Sequence, residues 1–283
     1  MKAGHIRLGT SAFTAAGWPG SFYPAKLKPA EYLCFYATQF DTVEIDSTFY
    51  HTPPASTVRG WHAKTPPGFI FAAKVPQVIT HEKVLRDCQP ELKQFLGTMD
   101  LLGEKLGPLL FQFGYFSKKA FRSLGEFLTR LGPFLDTLPK GYRFAVEVRN
   151  KTWMDARLAE VLRARNVALV LVDHAWMPRP AEFLEKLDPV TADFAYIRWL
   201  GDRKGIEERT KSWDKTIVDR TEELDEWVKV CRKITARGVP VYAYANNHYA
   251  GHGPATVRQF EALWSDQPGP KTKAKRAENL SLF

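Results

Sequence analysis

The chain has 283 residues, 40 Lys plus Arg against 31 Asp plus Glu, and a formal net charge of +9. Its length exceeds the roughly 250 residues of one α/β barrel by too little for a second domain of ordinary size, and its positive balance favours polyanions or anionic substrates. Three cysteines in no CxxC pair, no apolar run near the roughly 20 residues of a bilayer span, and no charged n-region before an apolar h-region predict a cytoplasmic protein with no membrane contact.

Apolar, β-rich runs recur in chain order at Ile6 to Gly9, Thr42 to Asp46, Phe69 to Lys74, Leu109 to Phe113, Phe144 to Arg149, Ala168 to Asp173, Phe194 to Trp199 and Val241 to Asn246. The segments between them carry helix signals. Pro29 and Pro90 suit first turns, Ser117 suits an N-cap, and Leu224, Trp227, Val228, Cys231 and Ile234 form a helical stripe. Strict alternation of strand and helix predicts a parallel sheet, and eight units predict a closed (β/α)8 TIM-like barrel over residues 1–264. Gly9-Thr10-Ser11-Ala12 is no GxGxxG, which argues against an open dinucleotide-binding sheet. Residues 265–283 are expected to form a short flexible basic tail.

Period two within the strands locates a site. In Phe144 to Arg149 it sends Phe144, Val146 and Val148 to one face and Ala145, Glu147 and Arg149 to the other. The bulky face packs under helices, so the charged face points into the barrel and opens at the C-terminal mouth, where barrel enzymes keep their chemistry. The same rule turns Glu44, Asp46, Lys74, Gln112, Asp173, Arg198 and Asn246 inward or onto the rim. One outcome is a closed ion network that plugs the barrel. The other is an anion clamp of Lys74, Arg149 and Arg198, with Glu147 as an ionised general base and Glu44 as a second carboxylate. Asn246 and Asn247 lead into Gly251-His252-Gly253-Pro254, either an anion-binding nest before a helix or a plain Gly-Pro loop. Tyr50 and Trp153, just beyond strands, suit stacking on a sugar or base. His81, His174, His248 and His252 follow strands without HExxH spacing, so they are read as rim hydrogen-bonders. No motif demands a cofactor; a divalent metal is compatible with the mouth.

Several segments stand in the order of a known family: Gly9-Thr10-Ser11, Trp18 with Phe22-Tyr23-Pro24, Val43 to Tyr50, Thr80-His81, Leu109 to Phe113, Ala145 to Arg149 with Trp153, Tyr196-Ile197-Arg198 and Tyr244 to Asn247. Together they resemble the YecE-like family, domain of unknown function 72, over nearly all of residues 5–264. The resemblance implies a barrel with a polar mouth built from these residues, similar in fold to metal-dependent endonuclease barrels, and no established reaction. The sequence departs from that pattern at Asp46, where Asn is usual, at Leu200-Gly201, where His-Gly is usual, and at Ala245, where Phe is usual. Asp46 adds a carboxylate beside Glu44, which raises the pKa of one of them or improves a metal site.

The pattern points first to an enzyme acting on a phosphate-bearing substrate, nucleic acid or a nucleotide, as a phosphoester hydrolase would. Gln112, Asn246 and Asn247 would join the clamp in binding it. A carbohydrate-active hydrolase using Glu44 and Glu147 with Tyr50 or Trp153 as platforms is a second reading. A non-enzymatic nucleic-acid adaptor is a third. The last residues, Glu278 to Phe283, resemble the peptide by which replication and repair proteins dock on the DNA sliding clamp, with Leu280, Leu282 and Phe283 as anchors and Asn279 where glutamine is usual. Clamp docking would place the barrel on DNA.

Overall fold

In the computed structural model, which describes residues 5–266, eight parallel strands form one sheet curled into a nearly closed barrel. They are β1 (Ile6–Thr10), β2 (Thr42–Ile45), β3 (Ile70–Lys74), β4 (Leu106–Gln112), β5 (Phe144–Glu147), β6 (Ala168–His174), β7 (Ala195–Gly201) and β8 (Val241–Ala245). All eight sequence-predicted strands are present, and differences fall at their ends. β4 begins earlier, at Leu106, and β5 stops at Glu147, leaving Arg149 on the following loop.

Helices α1 (Tyr32–Gln39), α2 (Ala55–Ala63), α3 (Gln89–Met99), α4 (Leu124–Asp136), α5 (Ala156–Arg163), α6 (Pro180–Leu184), α7 (Arg203–Arg209), α8 (Thr221–Thr235), α9 (Asn247–Ala250) and α10 (Gly253–Asp266) wrap the sheet. Pro90 lies in the first turn of α3, where its missing N–H costs nothing, and α8 buries all five residues of the predicted stripe. Ser117 caps no helix. Its carbonyl closes a turn with the N–H groups of Ala120 and Phe121, and α4 starts later, where Ser123 accepts the Glu126 N–H at 3.3 Å. Tertiary packing outweighs the local signal here, because Phe121 is drawn into an aromatic cluster with Phe116, Phe127 and Trp153. α10 continues through Ser265 and Asp266, two residues past the expected end of the barrel, and residues 267–283 with Leu280, Leu282 and Phe283 lie outside the described residues.

Strand alternation separates two buried clusters. Phe144, Val146 and Val148 join the layer beneath the helices, while Ala145 joins an interior cluster with Ala72, Leu110, Val170, Tyr196 and Tyr244. Asp173 departs from its expected place. Ala168, Val170 and Val172 take the lumen positions of β6, so Asp173 faces outward and accepts hydrogen bonds from Trp227 Nε1 at 2.7 Å and the Tyr249 hydroxyl at 2.9 Å. It ties α8 and α9 to the wall.

The barrel closes differently at one seam. β1 pairs with β8, and β2 with β3, but the β1 and β2 edges are joined through α1. The Tyr36 hydroxyl accepts the Thr10 N–H at 2.8 Å and reaches the Thr42 carbonyl at 3.2 Å. Gly9 permits this approach, since a Cβ there would stand 2.1 Å from the Thr42 carbonyl oxygen. At the opposite end of the seam Arg7 bonds Asp41 at 2.8 Å and the Gly68 carbonyl at 3.1 Å.

Candidate functional site

β2, β5 and β7 bring three side chains together inside the upper barrel. Arg198, on β7, crosses the lumen to two carboxylates that lie on other strands. Its Nε and Nη2 donate to Glu44 Oε1 at 3.1 and 2.7 Å, and its Nη1 donates to Glu147 Oε2 at 2.9 Å. The other Glu44 oxygen accepts the Tyr196 hydroxyl at 2.5 Å; the other Glu147 oxygen accepts Arg149 Nε at 2.5 Å. Both carboxylates are 0% exposed, and Arg198 is 2% exposed. Above them Asp46 Oδ1 stands 3.4 Å from Arg198 Nη2 and 3.4 Å from Lys74 Nζ, which also lies over the Phe49 ring. Glu44, Glu147 and Asp46 thus face Arg198, Arg149 and Lys74, three formal charges of each sign. Burial on this scale requires such compensation, because an unpaired charge here would be very costly.

The environments drive the two glutamates apart. Burial alone would raise both. For Glu147 the Arg149 and Arg198 guanidinium groups overcome burial and pull the carboxyl down to about 2. For Glu44 burial prevails over Arg198, and Asp46 adds to it, so its pKa is raised. Lys74 is lowered by burial against the pull of Asp46.

This geometry revises several expected roles. Arg198 is the keystone between two carboxylates and has no exposed donor to clamp an anion. Glu147 is ionised, as its flanking cations imply, yet both its oxygens are occupied and its low pKa makes it a weak base near neutrality. It positions Arg149 and Arg198. Glu44 is sealed beneath Arg198 and Tyr196, so the two glutamates do not flank an open cleft as a glycosidase pair must. Trp153 is buried, stacked on Phe127 and Phe116, and presents no platform. Asn247 is spent on structure, its Oδ1 accepting the Gly253 N–H at 2.8 Å and Trp18 Nε1 at 3.2 Å. That bond occupies the Gly253 amide, the Gly251 N–H is bonded to the Asn247 carbonyl at 2.7 Å, and Pro254 supplies none, which weakens any nest there. Gln112 donates to the Phe113 carbonyl, and Asn246 bridges Ser11 and His248.

Other groups face the mouth. Arg149 is fixed through Nε, while Nη1 and Nη2 have no acceptor among the described residues. His81, on the exposed side of the rim, is lowered by partial desolvation and then by Lys74 and Arg149, and half-buried His174 by burial and then by Arg149. Both rings are therefore neutral near pH 7. Trp176 N–H donates to His174 Nδ1 at 3.3 Å, which leaves the ring proton on Nε2. Gly114 lets His81 sit close, since a Cβ would lie 3.3 Å from its Nε2. Tyr50 stands exposed on the rim. Tyr196 escaped the site prediction, although period two from Arg198 places it directly below on the same face.

A hollow of about 400 Å³ beside this rim is lined by His174, Trp176, Asp202, Arg203, Glu207 and Lys211. Another of about 480 Å³ opens at the far end of the barrel, but its charged lining residues are Asp41 and Glu261, which suit no anion. Among the described residues, no three His, Cys, Asp or Glu side chains converge to hold a metal ion. Nor is any described helix long and apolar enough to cross a membrane.

Residues 7–279 match the family described as protein of unknown function DUF72. The chain belongs to this family. The DUF72 chain is 30% identical over 185 residues to the UPF0759 protein YecE of Escherichia coli K12, a match spanning 59% of this chain and 65% of that one, short of two thirds. Among solved structures, a DUF72 family protein of Thermotoga maritima MSB8 is similar at 28% identity and TM-score 0.65, with 92% of this chain and 99% of that one covered. A DUF72 family protein of Enterococcus faecalis V583 is similar at 22% identity and TM-score 0.67, covering 94% and 99%. The barrel fold is thus shared within DUF72, while the charges at its mouth must be interpreted from this chain's own geometry.

Proposed function

We propose that the barrel mouth grips the phosphate of a nucleotide or nucleic acid through Arg149 and Lys74, and that the reaction there is hydrolysis of a phosphoester. The observation that carries this is Arg149. Its Nε is pinned by a buried carboxylate while its two terminal nitrogens have no acceptor among the described residues, and it acts together with Lys74 on His81 and Glu147. A guanidinium held this way keeps its fork aimed at a planar or tetrahedral oxyanion with little ordering cost. Asp46 tempers the positive field and keeps Lys74 in reach. The proton acceptor for an attacking water passes from Glu147 to His81, whose partial desolvation and cationic neighbours Lys74 and Arg149 hold it neutral. His174 Nε2–H is a donor for a phosphate oxygen.

Titration of inorganic phosphate and of thymidine monophosphate into wild type and Arg149→Lys tests the grip. The variant keeps the charge and loses the fork, so binding should weaken about tenfold or more. In a phosphoester screen, His81→Gln should lose about a hundredfold in turnover while ligand affinity holds. Equal phosphate binding by wild type and Arg149→Lys would remove the assignment.

A further inference from the structure

We infer that the ligand of this mouth is a single-stranded polynucleotide, whose bases stack on Tyr50, Tyr115 and Trp176 while Lys118, Lys119 and Arg122 hold its backbone. The inference rests on the mouth being an anion site and adds which anion it takes. Tyr50, Tyr115 and Trp176 are 69, 71 and 75% exposed, the exposed large hydrophobic side chains among the described residues. None lies on an outer helix. They follow β2, β4 and β6, so alternate strands each raise one aromatic ring at the mouth. Exposed rings scattered by chance would fall on helix faces as readily as on these loops.

The loop after β4 carries the second observation. Beside Tyr115 it exposes Lys118, Lys119 and Arg122, and none has a carboxylate within ion-pair distance among the described residues. Lys151 and Arg203, by contrast, are matched by Glu182 and Glu207. An aromatic ring among unmatched cations fits a chain of phosphates bearing flat bases better than a neutral sugar or a lone phosphate. Spacing then favours a polymer over a mononucleotide. Alternate strands lie about 10 Å apart around the wall, so no one base reaches two rings. An unpaired strand offers several base faces, whereas a duplex hides them within its own stack.

The test is fluorescence titration of full-length protein with labelled dT12, rU12, dT3, a 12-base-pair duplex and poly-glutamate. We expect dT12 or rU12 to bind at least about tenfold more tightly than dT3 or the duplex, with the preferred arm separating DNA from RNA. Tyr115→Ala and Trp176→Ala should each weaken binding about tenfold. Lys118→Ala with Lys119→Ala should reduce the slope of log affinity against log salt by about 1.4. These side chains are exposed, and unchanged thermal melting certifies that the variants fold. Unchanged dT12 affinity in both aromatic variants, duplex binding equal to dT12, or poly-glutamate binding of equal strength would overturn the inference. If thymidine monophosphate still needs Arg149 in that case, the anion site survives alone. If dT12 needs Tyr115 but no ligand needs Arg149, the phosphate grip fails and the stacking surface remains.

Discussion

Replacing Arg198 with Met would separate a keystone from a clamp. Arg198 makes three hydrogen bonds to two fully buried carboxylates, so its loss strands charge inside the barrel. Glu147 retains Arg149 at 2.5 Å, but Glu44 retains only the Tyr196 hydroxyl. Breaking a buried pair from one side costs about 3–5 kcal/mol, and that is the expected loss in urea unfolding at neutral pH. The pH dependence distinguishes the cause. Glu44 is already raised by burial, and without Arg198 it rises further. A group with a raised folded pKa is least costly when protonated. The deficit of the variant should therefore grow with pH, by about 1.4 kcal/mol per unit between the wild-type and variant values, and shrink in acid. Unfolding at pH 5.5 and 8.5 measures both. Combining Glu44→Gln with Arg198→Met should recover most of the loss and flatten the pH response. A loss under about 1 kcal/mol, or one identical at the two pH values, would refute the keystone role.

Three further outcomes follow from the same geometry. Glu147 falls from 4.5 to about 2 in the folded protein, so its contribution of about 3 kcal/mol is complete above pH 4.5 and is lost as pH falls towards 2; urea unfolding at pH 5 and 3 should show a smaller acid loss in Glu147→Gln. Tyr36→Phe removes the hydroxyl that joins Thr10 to Thr42, and leaving those seam groups unpaired should cost about 1–3 kcal/mol by the same assay, with amide exchange rising first at Thr10. The proposed docking of Leu280, Leu282 and Phe283 on a sliding clamp predicts that a peptide of residues 271–283 binds purified clamp and that Leu282→Ala with Phe283→Ala abolishes it; equal or absent binding by both peptides removes that partner.

The barrel was legible because its signals are local and repeated. Several strands alternate bulky and small or charged residues, and the alternation alone sends Glu44, Lys74, Glu147 and Arg198 to a common interior. Where one residue's direction depends on a strand's exact phase, the pattern fails. Asp173 reads like another rim charge but faces α8, because Val172 holds the lumen position beside it. Ser117 looks like a cap until Phe121 is packed, and Trp153 looks like a platform until Phe116 and Phe127 cover it. Such contacts join residues distant in sequence and leave no periodic trace.

The sequence by itself determined the eightfold strand and helix alternation, the inward charges and the end of the barrel at which they open, since these follow from side-chain period and parallel connection. Only the tertiary structure decided what each charge does. Whether a buried Arg is a clamp or a keystone depends on which carboxylates the other strands bring within 3 Å of its nitrogens, and Arg198 draws one from β2 and one from β5. The same folding leaves Arg149 with a free fork, because β5 ends at Glu147 and the loop carries Arg149 upward into the mouth. Electrostatic roles fall off steeply with distance and burial, so they are properties of assembled space and not of order along the chain.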